Sequence, residues 1–292
     1  MNKQVLWLLA IALATTFVFG FQAILADTAS GNVTITNAAP TIGTVTLWNQ
    51  AGANAAIDLS AGSTVTVTAN VTVTDTNGGG NVNTATGTLY HSTSTSGGSN
   101  DENIHLTNSS CTLSGVSGNT VIATCAFTLN YMALNGTWTA NITATDLSSE
   151  SVSGTDDNTV NSLAALDVTD ATINFGSMAL GTNSTTATNM TIRSKGNIQI
   201  DAIYSGTNYT CTSGTIPATN TKYSLTSANY DALTTGLTES AVTQTGFDLG
   251  VRGVASSDGV DSDKSEYWGI LIPTSGVSGT CTNTLTVTAV AG

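Results

Sequence analysis

Asp258, Asp261, Asp263 and Glu266 crowd four carboxylates into one short stretch, and hard oxygen ligands this close together can wrap a single Ca²⁺. The stretch departs from the EF-hand pattern and Lys264 sits in its midst, so the plainer reading is a solvated acidic hairpin loop. Asp75 and Asn77 form a second, smaller oxygen-rich turn that invites the same two readings. The two histidines, His91 and His105, have Asp101 and Glu102 near them in sequence. A zinc site or a general base is conceivable there. A base, however, needs an orienting carboxylate and a nucleophile within reach, and a chain this rich in serine brings such neighbours together by chance. No phosphate-binding loop, dinucleotide fingerprint or haem-attachment motif is present. The expectation is therefore no catalytic residue and no resident cofactor, with calcium as the one candidate.

The four cysteines carry a different chemistry. In an exported chain they suggest two disulfides, with unpaired buried thiols as the other reading. Gly118 lies midway between Cys111 and Cys125, so a hairpin centred there sets the two opposite one another, within disulfide reach. Cys211 and Cys281 then pair by elimination. The second bridge closes the longer loop and removes more freedom from the unfolded chain, by a logarithmic term of ~1 kcal/mol.

These groups need a scaffold, and the composition limits what it can be. Hydrophobic residues make up 40% of the chain, enough for a core, while only 9% are charged. That is too few charges for a disordered polyelectrolyte. Six Lys and Arg against 19 Asp and Glu give a net charge of -13, which repels a nucleic-acid backbone and offers no basic patch to anionic lipid.

Residues 1–26 carry Lys3 and then an apolar run from Val5 to Leu25. This is a signal peptide cleaved after Ala26 or, because the run just reaches the ~20 residues that span a bilayer, an uncleaved membrane anchor. Residues 27–39 form an extended linker in which Val33 and Ile35 alternate with polar neighbours. The stretch 31–37 is either a linker or edge strand, or a donor strand that completes the sheet of a neighbouring subunit.

From Pro40 onward, short apolar–polar alternations are separated by turn residues, the pattern of an all-β sandwich. Strands are expected at Ile42–Trp48, Thr64–Thr74, Thr84–Tyr90, Asn103–Leu106, Cys111–Leu113, Val121–Leu129 and Thr137–Thr145. A polar stretch, 148–161, reads partly as a last strand and partly as a linker. A second set follows at Ala165–Val168, Thr172–Phe175, Ala187–Arg193, Ile198–Tyr204, Tyr223–Leu225, Thr243–Val251, Tyr267–Ile272 and Thr280–Val290, and 227–237 can hold a turn of helix. The stretch GTWTANITATD at 136–146 recurs as GTCTNTLTVTA at 279–289. Each copy has threonines on one face and apolar residues on the other, and each reads as the closing strand of a domain. The division is two sandwich domains, 40–160 and 163–292.

Asn37-Ala-Ala-Pro-Thr-Ile-Gly-Thr-Val, Val73-Thr-Asp-Thr-Asn-Gly78 and the 138–146 segment resemble the opening, middle turn and close of Ig-like domains in prokaryotic surface proteins. Ile173-Asn-Phe-Gly-Ser-Met-Ala-Leu-Gly181, Thr191-Ile-Arg-Ser-Lys-Gly-Asn197 and Trp268-Gly-Ile-Leu-Ile-Pro273 are similar to a second Ig-like type of archaeal and bacterial envelope proteins. The Cys, Trp, Cys arrangement of antibody domains is missing. The resemblance implies two tandem Ig-like antiparallel β-sandwich domains outside the cell, with a noncatalytic envelope, surface-layer or stalk role and partners among copies of itself or other envelope proteins. Two alternatives share that fold: a filament or pilus subunit built by donor-strand exchange, and a carbohydrate-binding or adhesin module presenting Trp48, Tyr90, Tyr204, Tyr209, Tyr230 and Trp268. Asn-x-Ser/Thr sequons at Asn32, Asn70, Asn108, Asn135, Asn141, Asn183, Asn189 and Asn208 are about what so Ser/Thr-rich a chain yields by accident, so glycosylation rests on the host.

Overall fold

Alternation of threonine with valine writes the first strands directly. In Thr64–Thr74 the residues Val67, Ala69, Val71 and Val73 are buried, while the intervening threonines face out. A computed structural model describes residues 29–170, 172–251 and 263–292. The signal or anchor segment 1–26 lies outside the described residues. The chain divides into one unit ending at Asn37 and another from Ala38 to Gly292. Within the first, residues 29–37 belong to no strand.

In the second unit, the strands up to residue 160 are β1 (Thr41–Ile42), β2 (Thr46–Trp48), β3 (Thr64–Thr74), β4 (Val82–His91), β5 (His105–Asn108), β6 (Thr112–Ser117), β7 (Thr120–Asn130), β8 (Gly136–Asp146) and β9 (Ser151–Val160). One sheet has the order β1-β3-β7-β6, with β2 also on β3, and the other is β5-β4-β8-β9. Their inner faces share one core, in which Leu47, Leu89, Leu129, Trp138 and Ile142 are fully buried. The Trp138 indole N–H donates to the Leu134 carbonyl at 2.7 Å, so the largest core side chain leaves no donor unpaired.

The remaining strands are β10 (Leu166–Val168), β11 (Thr188–Ser194), β12 (Ile200–Gly206), β13 (Tyr209–Ser213), β14 (Thr215–Ile216), β15 (Thr221–Ser224), β16 (Thr235–Gly236), β17 (Val242–Thr243), β18 (Asp263–Ile270), β19 (Ser278–Thr282) and β20 (Leu285–Ala291). They make a sheet β10-β11-β18-β15-β16, facing β17-β12-β20 and its continuation β14-β13-β19. Every strand ladder is antiparallel. The fold is all-β and sandwich-like, and among the described residues no sheet mixes strands from before and after residue 162.

Several expected strands change character. The 136–146 stretch does not close its sheet, because β9 pairs with β8 along its whole length, from Gly136↔Val160 to Thr145↔Ser151. The last-strand part of the 148–161 reading is β9, and its polar character comes from its place at an edge, where Asp156 and Asp157 are charges of the kind that keep a strand from pairing further. Its polar side chains also serve as ladder substitutes. Asp156 Oδ2 accepts from Leu47 N at 2.8 Å, and Asn158 Nδ2 donates to the Leu47 and Ala55 carbonyls.

Thr172–Phe175 is not a strand. Gly176 takes a left-handed φ of 73° and its N–H bonds to the Asn174 side chain at 2.9 Å, a local turn that competes with a ladder. Thr243–Val251 shortens to β17 because Gly246 and Asp248 both take positive φ. Tyr209–Ser213, passed over in the sequence, is β13. The helical turn expected within 227–237 is a single 3₁₀ turn, Tyr230–Ala232, capped by the Asn229 side chain.

Between the two strand sets sits a polar joint made by Lys195, Gly196 and Asn197. Asn197 is 1% exposed, and its amide donates to the carbonyls of Ala133 and Asn161 at 2.9 and 3.0 Å. Its Oδ1 accepts from Leu163 N at 2.6 Å, while its own N–H reaches Leu163 O. A side chain at Gly196 would collide with the Leu163 carbonyl. Gly62 N–H donates to Lys195 O at 3.1 Å, and the Lys195 ammonium lies over the Tyr131 ring.

Candidate functional site

The acidic stretch separates once its strand is in place. Asp258 and Asp261 lie outside the described residues. Asp263 and Glu266 sit an odd number of residues apart on β18, and therefore on opposite faces of the sheet. Asp263 takes a bidentate pair from Arg193 across the β11 ladder, Nε to Oδ1 and a second nitrogen to Oδ2, both at 2.9 Å. Glu266 points inward and is fully buried. These two carboxylates cannot converge on one ion. The Asp75 turn is self-satisfied: its carboxylate accepts from Asn77 N at 2.8 Å and from Asn81 Nδ2 at 3.2 Å. Among the described residues no group of three or more His, Cys, Asp or Glu side chains converges.

The cysteines form two bonds, Cys111–Cys125 and Cys211–Cys281, closing loops with sequence separations of 14 and 70. The first pair lies opposite across the β6–β7 hairpin, one step beyond Thr112↔Thr124. The second joins directly paired residues on β13 and β19. Gly87 on the facing sheet makes room for the first bridge, since a Cβ there would come within 2.7 Å of Cys125 Sγ and 2.9 Å of Phe127 Cζ.

The histidines do not meet. His105 pairs with Tyr90, the neighbour of His91, so the two rings leave opposite faces of the sheet. His91 Nε2 donates to Asn135 O at 3.2 Å, which leaves Nδ1 to accept from Thr93 N and Oγ1. Both nitrogens are thereby occupied. His105 is 1% exposed and stacks near Tyr90. Asp101 instead caps its own loop at Asn103 N, and Glu102 accepts from Asn130 Nδ2. Of the aromatics considered for a sugar platform, Tyr204, Tyr209, Tyr230 and Trp268 are buried.

Sequence reasoning placed Glu266 in a wet loop, yet it occupies the centre of the second core. Tyr204 from the facing sheet donates to Glu266 Oε2 at 3.3 Å, while Oε1 has no partner. Tyr204, Tyr223 and Trp268 form a ring cluster with centroids 4.8–5.3 Å apart. Loss of solvation raises the Glu266 carboxyl to about 7, against smaller lowering effects of the Tyr204 hydrogen bond and Lys264. Burial and the nearby carboxylate push the Tyr223 phenol up to about 12. The signal was legible: alternation through Glu266, Trp268 and Ile270 puts the carboxylate on the apolar face.

Among the described residues the second sandwich is open along one side. Among the described residues β19 and β20 have strand neighbours on one side only, β13 and β12. Leu285, Val287 and Ala289 point into the core yet are only partly buried. Between this edge and residues 172–180 runs a cleft of about 1120 Å³ floored by core side chains, among them Phe175, Met178, Trp268 and Val287.

No protein-family model and no curated protein matches the chain. Among solved structures it overlaps dimeric latent PorU from Porphyromonas gingivalis at 14% identity and a TM-score of 0.26, over 86% of this chain and 19% of that one. The secreted serine protease VesC from Vibrio cholerae overlaps at 9% identity and a TM-score of 0.19, over 80% of this chain and 49% of that one. The C-terminal domain of the AgI/II polypeptide BspA from Streptococcus agalactiae overlaps at 10% identity and a TM-score of 0.21, over 86% of this chain and 99% of that one. The chain thus spans less than a fifth of PorU and about half of VesC, and overlap at this level assigns neither family nor activity.

Proposed function

We propose that this protein is a noncatalytic structural unit of a cell exterior, two Ig-like sandwich domains coupled in series as part of an envelope, surface layer or stalk. The observation that carries this reading is the Asn197 joint. A fully buried amide with every hydrogen-bonding group used fixes one strand set to the other, where a recognition module on a flexible tether would need only a Gly/Ser linker. The two disulfides support an oxidising location.

The test is labelling of intact cells with a membrane-impermeant amine reagent, followed by a non-reducing peptide map. Surface labelling with both bridges intact is the expected result. A chain protected from label, with its cysteines reduced, overturns the proposal.

A further inference from the structure

The edge of the second sandwich that no described strand covers has an occupant of matching shape in the chain itself. Edge strands in soluble proteins are kept from pairing by charges, proline, bulges or brevity. Strand β9 has its aspartates, β6 is short with a register irregularity, and β10 has only three residues, one of them Asp167. From Ser278 to Gly292, by contrast, there is no charged residue and no proline. The apolar residues behind that edge, Leu285 and Val287, stay half-covered beside the cleft. An unprotected edge over an open core is the form of a sheet lacking one strand.

Residues 29–37 supply what is lacking. They are uncharged, belong to no strand, and hold Val33 and Ile35 82% and 81% exposed at the alternate spacing of one strand face. Extended, residues 31–37 reach ~23 Å, the length of the seven-residue β20. Charge argues the same way. In a chain of net charge -13, whose copies repel, both the segment and the edge are neutral. Main-chain hydrogen bonds would hold such a strand in place, while Val33 and Ile35 enter the cleft as side-chain anchors.

We infer that residues 31–37 of one copy pair along β20 of a second copy and complete its second sandwich, so that copies assemble head to tail. The contact is heterologous, and its repetition gives an open chain rather than a closed dimer. The inference rests on the structural reading above and names its means of assembly.

The test uses the full chain with a benzophenone amino acid in place of Val33, irradiated and mapped by mass spectrometry. Cross-links between copies to residues 172–180 or 277–289 are expected, with multimers in negative stain. A double variant, Val33→Asp with Ile35→Asp, and separately Thr34→Pro, lies outside the unit from Ala38 to Gly292. Each should weaken assembly about a hundredfold or more while leaving the melting temperature unchanged. Wild-type chains that stay monomeric at high concentration, cross-links elsewhere, or multimers that survive both variants overturn the inference. A surface-labelled monomer overturns it alone and leaves the structural role standing.

Discussion

The Tyr204 phenol donates to the Glu266 carboxylate across the interior of the second sandwich, tying β12 to β18 through the only buried carboxylate among the described residues of that core. Between the ordinary glutamate value of 4.5 and the folded value of about 7, the folded protein binds more protons than the unfolded chain. Stability therefore falls as pH rises through that window, by about 3 kcal/mol in all, and levels off above it. Thermal melts from pH 4 to 8 should show this slope. Glu266→Gln, which cannot ionise, should flatten it.

Asn197→Ala removes two donors and an acceptor from a buried joint and strands the Ala133 and Asn161 carbonyls. The expected loss is roughly 2–3 kcal/mol. In calorimetry the variant should show separate transitions for the two strand sets. Asn197→Asp keeps the acceptor for Leu163 N but sets a buried carboxylate oxygen against the Ala133 and Asn161 carbonyls, and should cost more than the alanine.

The two disulfides are worth different amounts. Serine replacement of Cys211 and Cys281 opens a loop with a separation of 70, against 14 for Cys111 and Cys125. Loop entropy makes the first loss larger by about 1 kcal/mol. Denaturant midpoints of the two double variants, measured under identical conditions, check the order.

Gly87→Ala tests how tightly the first bridge is packed. The added methyl meets Cys125 Sγ and Phe127 Cζ closer than van der Waals contact. A loss of about 1–3 kcal/mol is expected. Combining Gly87→Ala with Phe127→Leu, which shortens the opposing ring, should recover part of it.

Much of this architecture can be read from residue order alone. Period-two patterns in 64–74 and 136–146 mark strands whose inner residues, Val67 and Trp138 among them, are buried. Gly118 centres the hairpin that brings Cys111 to Cys125. Where residue order misleads, polarity does not mean exposure. Strand β9 is polar because an edge needs protection, which blurs a last strand into a linker, and Asn197 hides in a Ser-Lys-Gly-Asn run between two strands. Glu266 has acidic neighbours in sequence, yet it shares its strand face with Trp268. The cleft is invisible to periodicity, because it arises where Asn174 and Gly176 turn a strand-like segment out of any ladder.

The Cys211–Cys281 bond joins adjacent strands of one sheet, and so it decides how that sheet yields to a pull. Tension applied beyond Ala291 unzips β20 from β12 one ladder bond at a time, beginning at the Ile200↔Ala291 pair. The unzipping travels back to Cys281 and halts, because the load passes through sulfur to β13. Everything between the two cysteines, Glu266, Tyr223 and Trp268 included, is bypassed by the force. The stretch beyond Cys281 then acts as a short extensible buffer, one that can reseal on its own template when the tension drops.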